Sequence, residues 1–243
     1  ISGMKLKEVY KSSPFGVVSS FLIGISHSAV FSLIAVYATS MNFSILEVSI
    51  VTFLFAISGA ISQWPIGKLS DVLDRRIVII YTTFGAALFC FLAIISSGQM
   101  YMPAGLATSK LFFYICIMCF SFCSLPMFAL IFAHTNDFIP KEKFVAAGAG
   151  LQFVFGLGAI CGPFMCSLFM EFLGENGFFI FLIIFHSFIG LFGIYRMQIR
   201  ESGDNPDSQF APMPQTITPA GIELNPSTEP IDEPNNLNEF KKI

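Results

Sequence analysis

Four charged residues at close spacing form the segment of this sequence with the clearest chemistry. Asp71, Asp74, Arg75 and Arg76 lie within the ten residues that begin at Gly67, and long apolar runs flank this segment on both sides. Charged side chains are costly in lipid, so they cluster where helices return to water. The mixed signs favour ion pairing. The spacing therefore predicts a turn between two membrane helices that marks one membrane face and holds the helix ends in register.

The other reactive side chains do not form a catalytic or metal-binding pattern. All six cysteines lie within apolar runs, and Cys116, Cys119 and Cys123 share one face of a helix. No histidine or acid accompanies them at ligand spacing, so we interpret them as small packing residues rather than a metal site. The sequence has no nucleotide-binding loop and no nucleophile paired with a base. We therefore expect no enzyme activity, no metal or other cofactor, and no nucleic-acid partner.

The elements that must position the charged turn are membrane helices. Of the 243 residues, 54% are hydrophobic and 12% are charged, and the mean hydropathy is +0.73. A hydrocarbon core about 30 Å thick needs spans of about 20 apolar residues, and backbone groups in lipid must pair within the span. We predict an all-α integral membrane protein in contact with the lipid bilayer, with spans near 15–37, 46–66, 77–97, 111–133, 145–170 and 178–196.

Composition divides the chain into three parts. Residues 1–13 form a basic linker, residues 14–200 the six-helix bundle, and residues 201–243 an acidic, proline-rich tail that we expect to be disordered. Lys and Arg concentrate on the cytoplasmic side of membrane proteins. With the charged turn on that side, ten basic residues lie inside and Lys110 alone outside. We expect an inner-membrane protein with both ends of the chain in the cytoplasm.

The fifth span carries small residues every four positions. Gly150, Gly158 and Gly162 belong to this stripe, which would let another helix approach closely. Pro163 removes a backbone donor and should bend the helix. One interpretation is a tightly packed static bundle, and the other is a helix that slides or flexes against its partner. The density of glycine favours the second.

These motifs resemble a known family of transporters. Gly67-x3-Asp71-x2-Asp74-Arg75-Arg76 resembles the loop between the second and third helices of each half of a major facilitator superfamily protein, and Gly158-x3-Gly162-Pro163 resembles the glycine-proline motif of the fifth helix. The stretch 63–71 is similar to the YcaD-type bacterial branch. The resemblance implies twelve helices in two halves. This chain would be the C-terminal half, a piece of a longer protein whose N-terminal half is its missing partner.

The resemblance also implies a conformational gate. Asp71 would face the positive N-terminus of a helix in the other half, and Gly67 would let that helix come close. Asp74, Arg75 and Arg76 would add charge pairs that form only when the cytoplasmic side is closed. The family usually has an arginine near the inner end of the fourth helix as a partner for the motif aspartate. That position has no arginine in this sequence, and His134 is the only basic candidate.

The sequence gives fewer indications of the substrate cavity than of the gate. His27 and Ser28 lie in a polar cluster near the middle of the first span, and Gln152 lies on the fifth. An ionisable residue inside a membrane suggests function, so His27 could contact a small-molecule substrate or carry a coupling proton. The competing interpretation is a neutral histidine bonded within the bundle. His186 lies on the sixth span, which is peripheral in this family, and we interpret it as structural.

Three functions fit these observations. The first is a secondary active transporter that moves a small solute by alternating access, with this chain as the C-terminal half. The second is a six-helix protein that dimerises into a transporter. The third is a membrane sensor or scaffold that does not transport and uses its tail as a docking segment. We favour the first.

Overall fold

The computed structural model describes residues 4–99, 106–203 and 210–212. Of the predicted tail, residues 204–209 and 213–243 therefore lie outside the described residues. The described part is all-α and contains no strand. Its helices are α1 (Leu6–Ser12), α2 (Pro14–Ser40), α3 (Ile45–Val72), α4 (Arg75–Gln99), α5 (Leu106–Ser124), α6 (Met127–Asn136), α7 (Phe144–Leu173) and α8 (Gly177–Ile199), with a 3₁₀ turn at Lys141–Lys143.

Six segments of the described chain are long and apolar enough to cross a membrane, which confirms the predicted fold class. They are Pro14–Ser40, Ile45–Val72, Arg75–Ser97, Lys110–Asn136, Lys141–Leu173 and Gly177–Ile199. Each contains one of the spans predicted from the sequence. The helices continue beyond the predicted apolar limits because side chains such as Ser13 and Ser44 cap their N-termini and extend the backbone hydrogen bonding.

The fourth span is broken, which the sequence prediction did not include. It consists of α5 and α6, separated by a turn at Leu125 and Pro126. Proline has no backbone N–H and crowds the preceding turn, so it interrupts the helix here. Pro65 and Pro163 lie inside α3 and α7, and both of those helices continue past them.

The glycine stripe lies where α7 packs on α2. A Cβ atom at Gly158 would overlap the carbonyl oxygen of Phe21, and one at Gly162 would overlap that of Ile25. Gly24 on α2 meets the backbone of α7 in the same way. The two backbones are therefore closely packed along this part of α2 and α7. Gly150 lies further along α7, where a Cβ would be 3.4 Å from Val9 of α1.

Burial is uneven among the spans. Within their most apolar windows, α3 and the span containing α7 are each only 28% buried, whereas the other four are 44–67% buried. Both of these helices pack on α2. On α2 itself, Phe31 is 54% exposed and Val36 52% exposed. These three helices therefore present much uncovered surface.

Candidate functional site

The charged turn forms a hairpin between α3 and α4. α3 ends at Val72, and α4 begins at Arg75. The Asp74 side chain accepts a hydrogen bond from the backbone N–H of Arg76 at 2.9 Å, which caps the first turn of α4. We call the end of the bundle that carries this turn the hairpin end. It also contains the last residues of α6 and α8.

Arg75 is the centre of the hairpin's charge cluster. Its Nη2 donates to Asp71 Oδ1 at 2.8 Å, and its Nη1 donates to Asp137 Oδ1 at 2.6 Å. Nη1 also donates to the carbonyl oxygen of Ala133 at 3.0 Å. The side chains of Arg75 and Asp137 are only 8% and 10% exposed, whereas that of Asp71 is 35% exposed. The cluster thus joins α3, α4 and the end of α6 and leaves one carboxylate partly open.

Asp137 is the residue that sequence reasoning missed. The family pattern led us to look for a base at the end of the fourth span, with His134 as the candidate. In the structure the basic residue of this charge pair is Arg75 on the hairpin, and its acidic partner, Asp137, lies just after the fourth span. His134 Nδ1 is 4.0 Å from Asp137 Oδ2, and its ring packs edge-on against Phe15. Charge balance could have identified Asp137 from the sequence, because Asp137 is an acidic residue at the same predicted membrane face as Arg75.

Asp74 and Arg76 form a second pair on the hairpin. Arg76 Nη2 lies 2.6 Å from Asp74 Oδ2, and Arg76 Nη1 donates to the carbonyl oxygen of Arg200 at 2.6 Å. Burial raises the pKa of Asp74, but the hydrogen bonds and charge of Arg76 outweigh it, so the pKa lies below its ordinary value. A carboxyl with a lowered pKa stabilises the fold at neutral pH and loses that contribution as the pH falls through the lowered value.

The sequence of this chain matches a known protein family. The sequence profile of the Major Facilitator Superfamily matches residues 16–230, which is most of the chain. The chain belongs to the major facilitator superfamily. The superfamily resemblance seen in the hairpin and glycine motifs is thereby confirmed. The narrower similarity to the YcaD-type branch stays a prediction.

Two relatives in the superfamily are described as uncharacterised MFS-type transporters. The chain is 23% identical to the MFS-type transporter YE1530 of Yersinia enterocolitica, over 83% of this chain and 47% of the relative. It is 26% identical to YfkF of Bacillus subtilis, over 75% of this chain and 45% of the relative. The chain thus spans about half the length of the curated relatives it matches. No solved structure matches it.

The three predicted cavity residues have different environments in this superfamily member. His27 is 1% exposed and lies inside the bundle. Ser28 is half-buried, and its hydroxyl donates to the carbonyl oxygen of Ile25 on its own helix at 3.1 Å. Gln152 is half-buried on α7. The three residues therefore differ in exposure and in the groups that they contact, and their place in a solute path stays a prediction.

His27 belongs to a buried hydrogen-bonded chain at the break in the fourth span. Its Nε2 lies 3.1 Å from both the carbonyl oxygen and the hydroxyl of Ser124. The Ser124 hydroxyl lies 2.8 Å from His186 Nε2, and His186 Nδ1 lies 2.9 Å from the carbonyl oxygen of Leu182. A carbonyl can only accept, so His27 Nε2 and His186 Nδ1 carry hydrogens. In a neutral His186 ring, Nε2 then accepts from the Ser124 hydroxyl.

We expect His27→Leu to destabilise the protein because it removes the donor to Ser124 from this chain. Loss of one partner of a buried hydrogen bond costs about 1–3 kcal/mol. The melting temperature of the detergent-solubilised protein should fall by several degrees. Ser28→Ala is the matched control, because the Ser28 hydroxyl bonds only to its own helix. Equal melting temperatures for the two variants would contradict a structural role for the buried chain.

Proposed function

We propose that this chain is one half of a secondary active transporter that moves a small solute by alternating access. The partner is a second six-helix half, and the two halves rock around a central path. Membership of the superfamily supports a transporter, and coverage of about half of each relative supports the half. The low burial of α3 and α7 supports a partner on that side of the bundle.

The observation that carries the proposal is the asymmetry of the charge cluster. Arg75 and Asp137 are buried within the bundle, but Asp71 is 35% exposed beside Gly67. We call the surface formed by Gly67 and Asp71 the latch surface. A helix of the other half can approach closely at Gly67 and point its N-terminus at Asp71. The positive end of a helix dipole stabilises an adjacent carboxylate by about 0.3–2 kcal/mol.

This contact would change the balance between two states. It forms only when the hairpin end is closed, so it favours the state that is open at the other end. We propose that the hairpin end is cytoplasmic, which also puts both ends of this chain in the cytoplasm, and that the membrane is the inner membrane. Ser28 and Gln152 are proposed to line the solute path. His27 is proposed as the protonatable group if transport is coupled to protons.

We expect Asp71→Asn to impair transport without preventing membrane insertion, because it removes the charge that holds the hairpin end closed. The ratio of the two states should change about two- to thirtyfold, which corresponds to the 0.3–2 kcal/mol above. Uptake or efflux by the full-length protein is the first measurement, after a growth and metabolite screen in a transporter-deficient strain has supplied a substrate.

A labelling assay measures the same change without a substrate. Ser167 is exposed on α7 and lines a cleft of about 320 Å³ between α2 and α7 at the end opposite the hairpin. In a background without native cysteines, a Ser167→Cys reporter should react with a membrane-impermeant maleimide when that end is open. Asp71→Asn should slow the labelling, and Glu142→Gln, an exposed acid at the hairpin end, should not. Wild-type transport and labelling in Asp71→Asn would count against the proposal.

A further inference from the structure

A short part of the tail lies directly on the latch surface. The backbone N–H of Phe210 donates to Asp71 Oδ1 at 2.9 Å. The Phe210 ring lies against Gly67, where a Cβ atom would overlap the ring. The same ring packs against the apolar clusters that include Ile131 and Phe132 of α6. Asp71 therefore has one partner within the bundle, Arg75, and another in the tail.

The residues that directly follow α8 also lie against the hairpin. The carbonyl oxygen of Arg200 accepts from Arg76, and the Ser202 hydroxyl bonds to Asp74. Gly203 lies so close to Asp137 that a Cβ atom there would be 2.7 Å from the Asp137 Cβ. Residues 200–203 thus lie along the charged residues of the hairpin end, and Phe210 lies on the latch surface at the same end.

We propose that the tail segment around Phe210 is an intramolecular occupant of the latch surface and opposes closure of the hairpin end by the other half. The inference rests on the proposed function, because the competing helix belongs to the proposed partner. The Phe210 N–H makes the bond to Asp71 that an N–H of a helix N-terminus would make. The ring fills the space beside Gly67 that a closely packed helix would need. The two occupants therefore exclude each other.

Covalent attachment makes such a weak contact effective. Gly203 lies against Asp137, and Phe210 follows seven residues later in the sequence. A short tether gives an effective concentration of the order of millimolar, far above that of a free peptide in a cell. A single neutral backbone bond and one ring are still a modest contact. We therefore expect the tail to change the ratio of the two states by about three- to tenfold.

The first experiment tests the contact itself in the full-length protein without native cysteines. Gly67→Cys combined with Phe210→Cys should form a disulfide with a mild oxidant. The matched control combines Gly67→Cys with Phe240→Cys, because Phe240 is the other phenylalanine of the tail. The 67–210 pair should crosslink at least about tenfold faster than the 67–240 pair. Equal rates would overturn the inference.

The second experiment tests the consequence with the Ser167→Cys reporter. Phe210→Ala should remove the competitor, favour closure of the hairpin end, and raise maleimide labelling at position 167 by about three- to tenfold. Phe240→Ala should leave the labelling rate unchanged. An unchanged rate in Phe210→Ala would overturn the inference, even if the 67–210 pair crosslinks.

A third variant separates failure of the inference from failure of the proposed function. In the Phe210→Ala background the ring that fills the space beside Gly67 is already gone, so Asp71→Asn there reports mainly on the contact with the other half. It should slow labelling at position 167. If Asp71→Asn has this effect and Phe210→Ala alone has none, the inference is wrong and the proposed function stands. If neither substitution changes the rate, the proposed function is wrong and the inference falls with it.

Discussion

Arg75→Met is expected to destabilise the protein by about 3–5 kcal/mol, which is the usual cost of removing one member of a buried ion pair. The methionine would fill much of the same volume but would remove the guanidinium that bonds both Asp71 and Asp137, whose side chain is 10% exposed. The carbonyl oxygen of Ala133 would also lose one of its two donors, the other being the backbone N–H of Asp137. Unfolding of the purified protein in mixed micelles, followed by circular dichroism, measures the change.

Two companion variants make this prediction specific to the cluster. Lys68→Met removes an exposed positive charge from the same turn, where Lys68 Nζ lies 4.2 Å from the Trp64 ring centre, and should cost much less. Arg75→Met combined with Asp137→Asn should recover part of the lost stability, because the second change removes the buried negative charge that Arg75 had balanced. If Arg75→Met is no less stable than Lys68→Met, Arg75 does not hold the hairpin together.

Gly158→Leu is expected to prevent normal packing of α7 on α2, whereas Gly156→Leu is expected to be tolerated. A Cβ atom at Gly158 would overlap the carbonyl oxygen of Phe21, but one at Gly156 would have no atom within 4 Å. The obstacle at Gly158 is backbone, which cannot rotate away as a side chain can. Overpacking costs about 1–3 kcal/mol even where side chains can adjust, so we expect a larger loss here.

The pair of variants isolates packing from helix propensity. Both substitutions replace glycine by leucine in the same helix, so each gains about the same, nearly 1 kcal/mol, in intrinsic propensity. The difference in melting temperature and in yield of folded protein between them therefore measures the α2–α7 contact. Equal behaviour would show that the two backbones are not in contact at Gly158.

The gross architecture of this protein follows from the sequence. Six spans could be predicted because the thickness of the membrane sets a length, and because lipid cannot satisfy backbone groups outside a helix. Both constraints act within a single segment, so no tertiary information is needed. The hairpin motif could be recognised for the same reason, since Asp71 and Arg75 are four residues apart and pair locally across the turn. The break at Pro126 is also a local feature of the sequence, but we predicted the fourth span as one uninterrupted helix and did not allow for this proline.

The partners of these residues were decided only by the tertiary structure. Arg75 meets Asp137 across 62 residues, and Ser124 meets His186 across the same separation. Phe210 reaches Asp71 across 139 residues. Such contacts depend on how far each helix is rotated about its axis and shifted along it. A run of apolar residues hardly encodes either quantity, because lipid and protein neighbours are almost equally apolar.

The same limit explains the two histidines. The sequence shows that His27 is ionisable and predicts that it lies in a membrane span. It did not strongly favour either a cavity role or a packing role. Rotation of α2 directs the ring toward Ser124 and thereby toward His186, so both side chains belong to one buried chain. Sequence alone thus determined which segments cross the membrane and where the charged turn lies. Packing alone determined what each polar side chain touches, because a small rotation of an apolar helix about its axis, or a shift of a few ångströms along it, exchanges one neighbour for another.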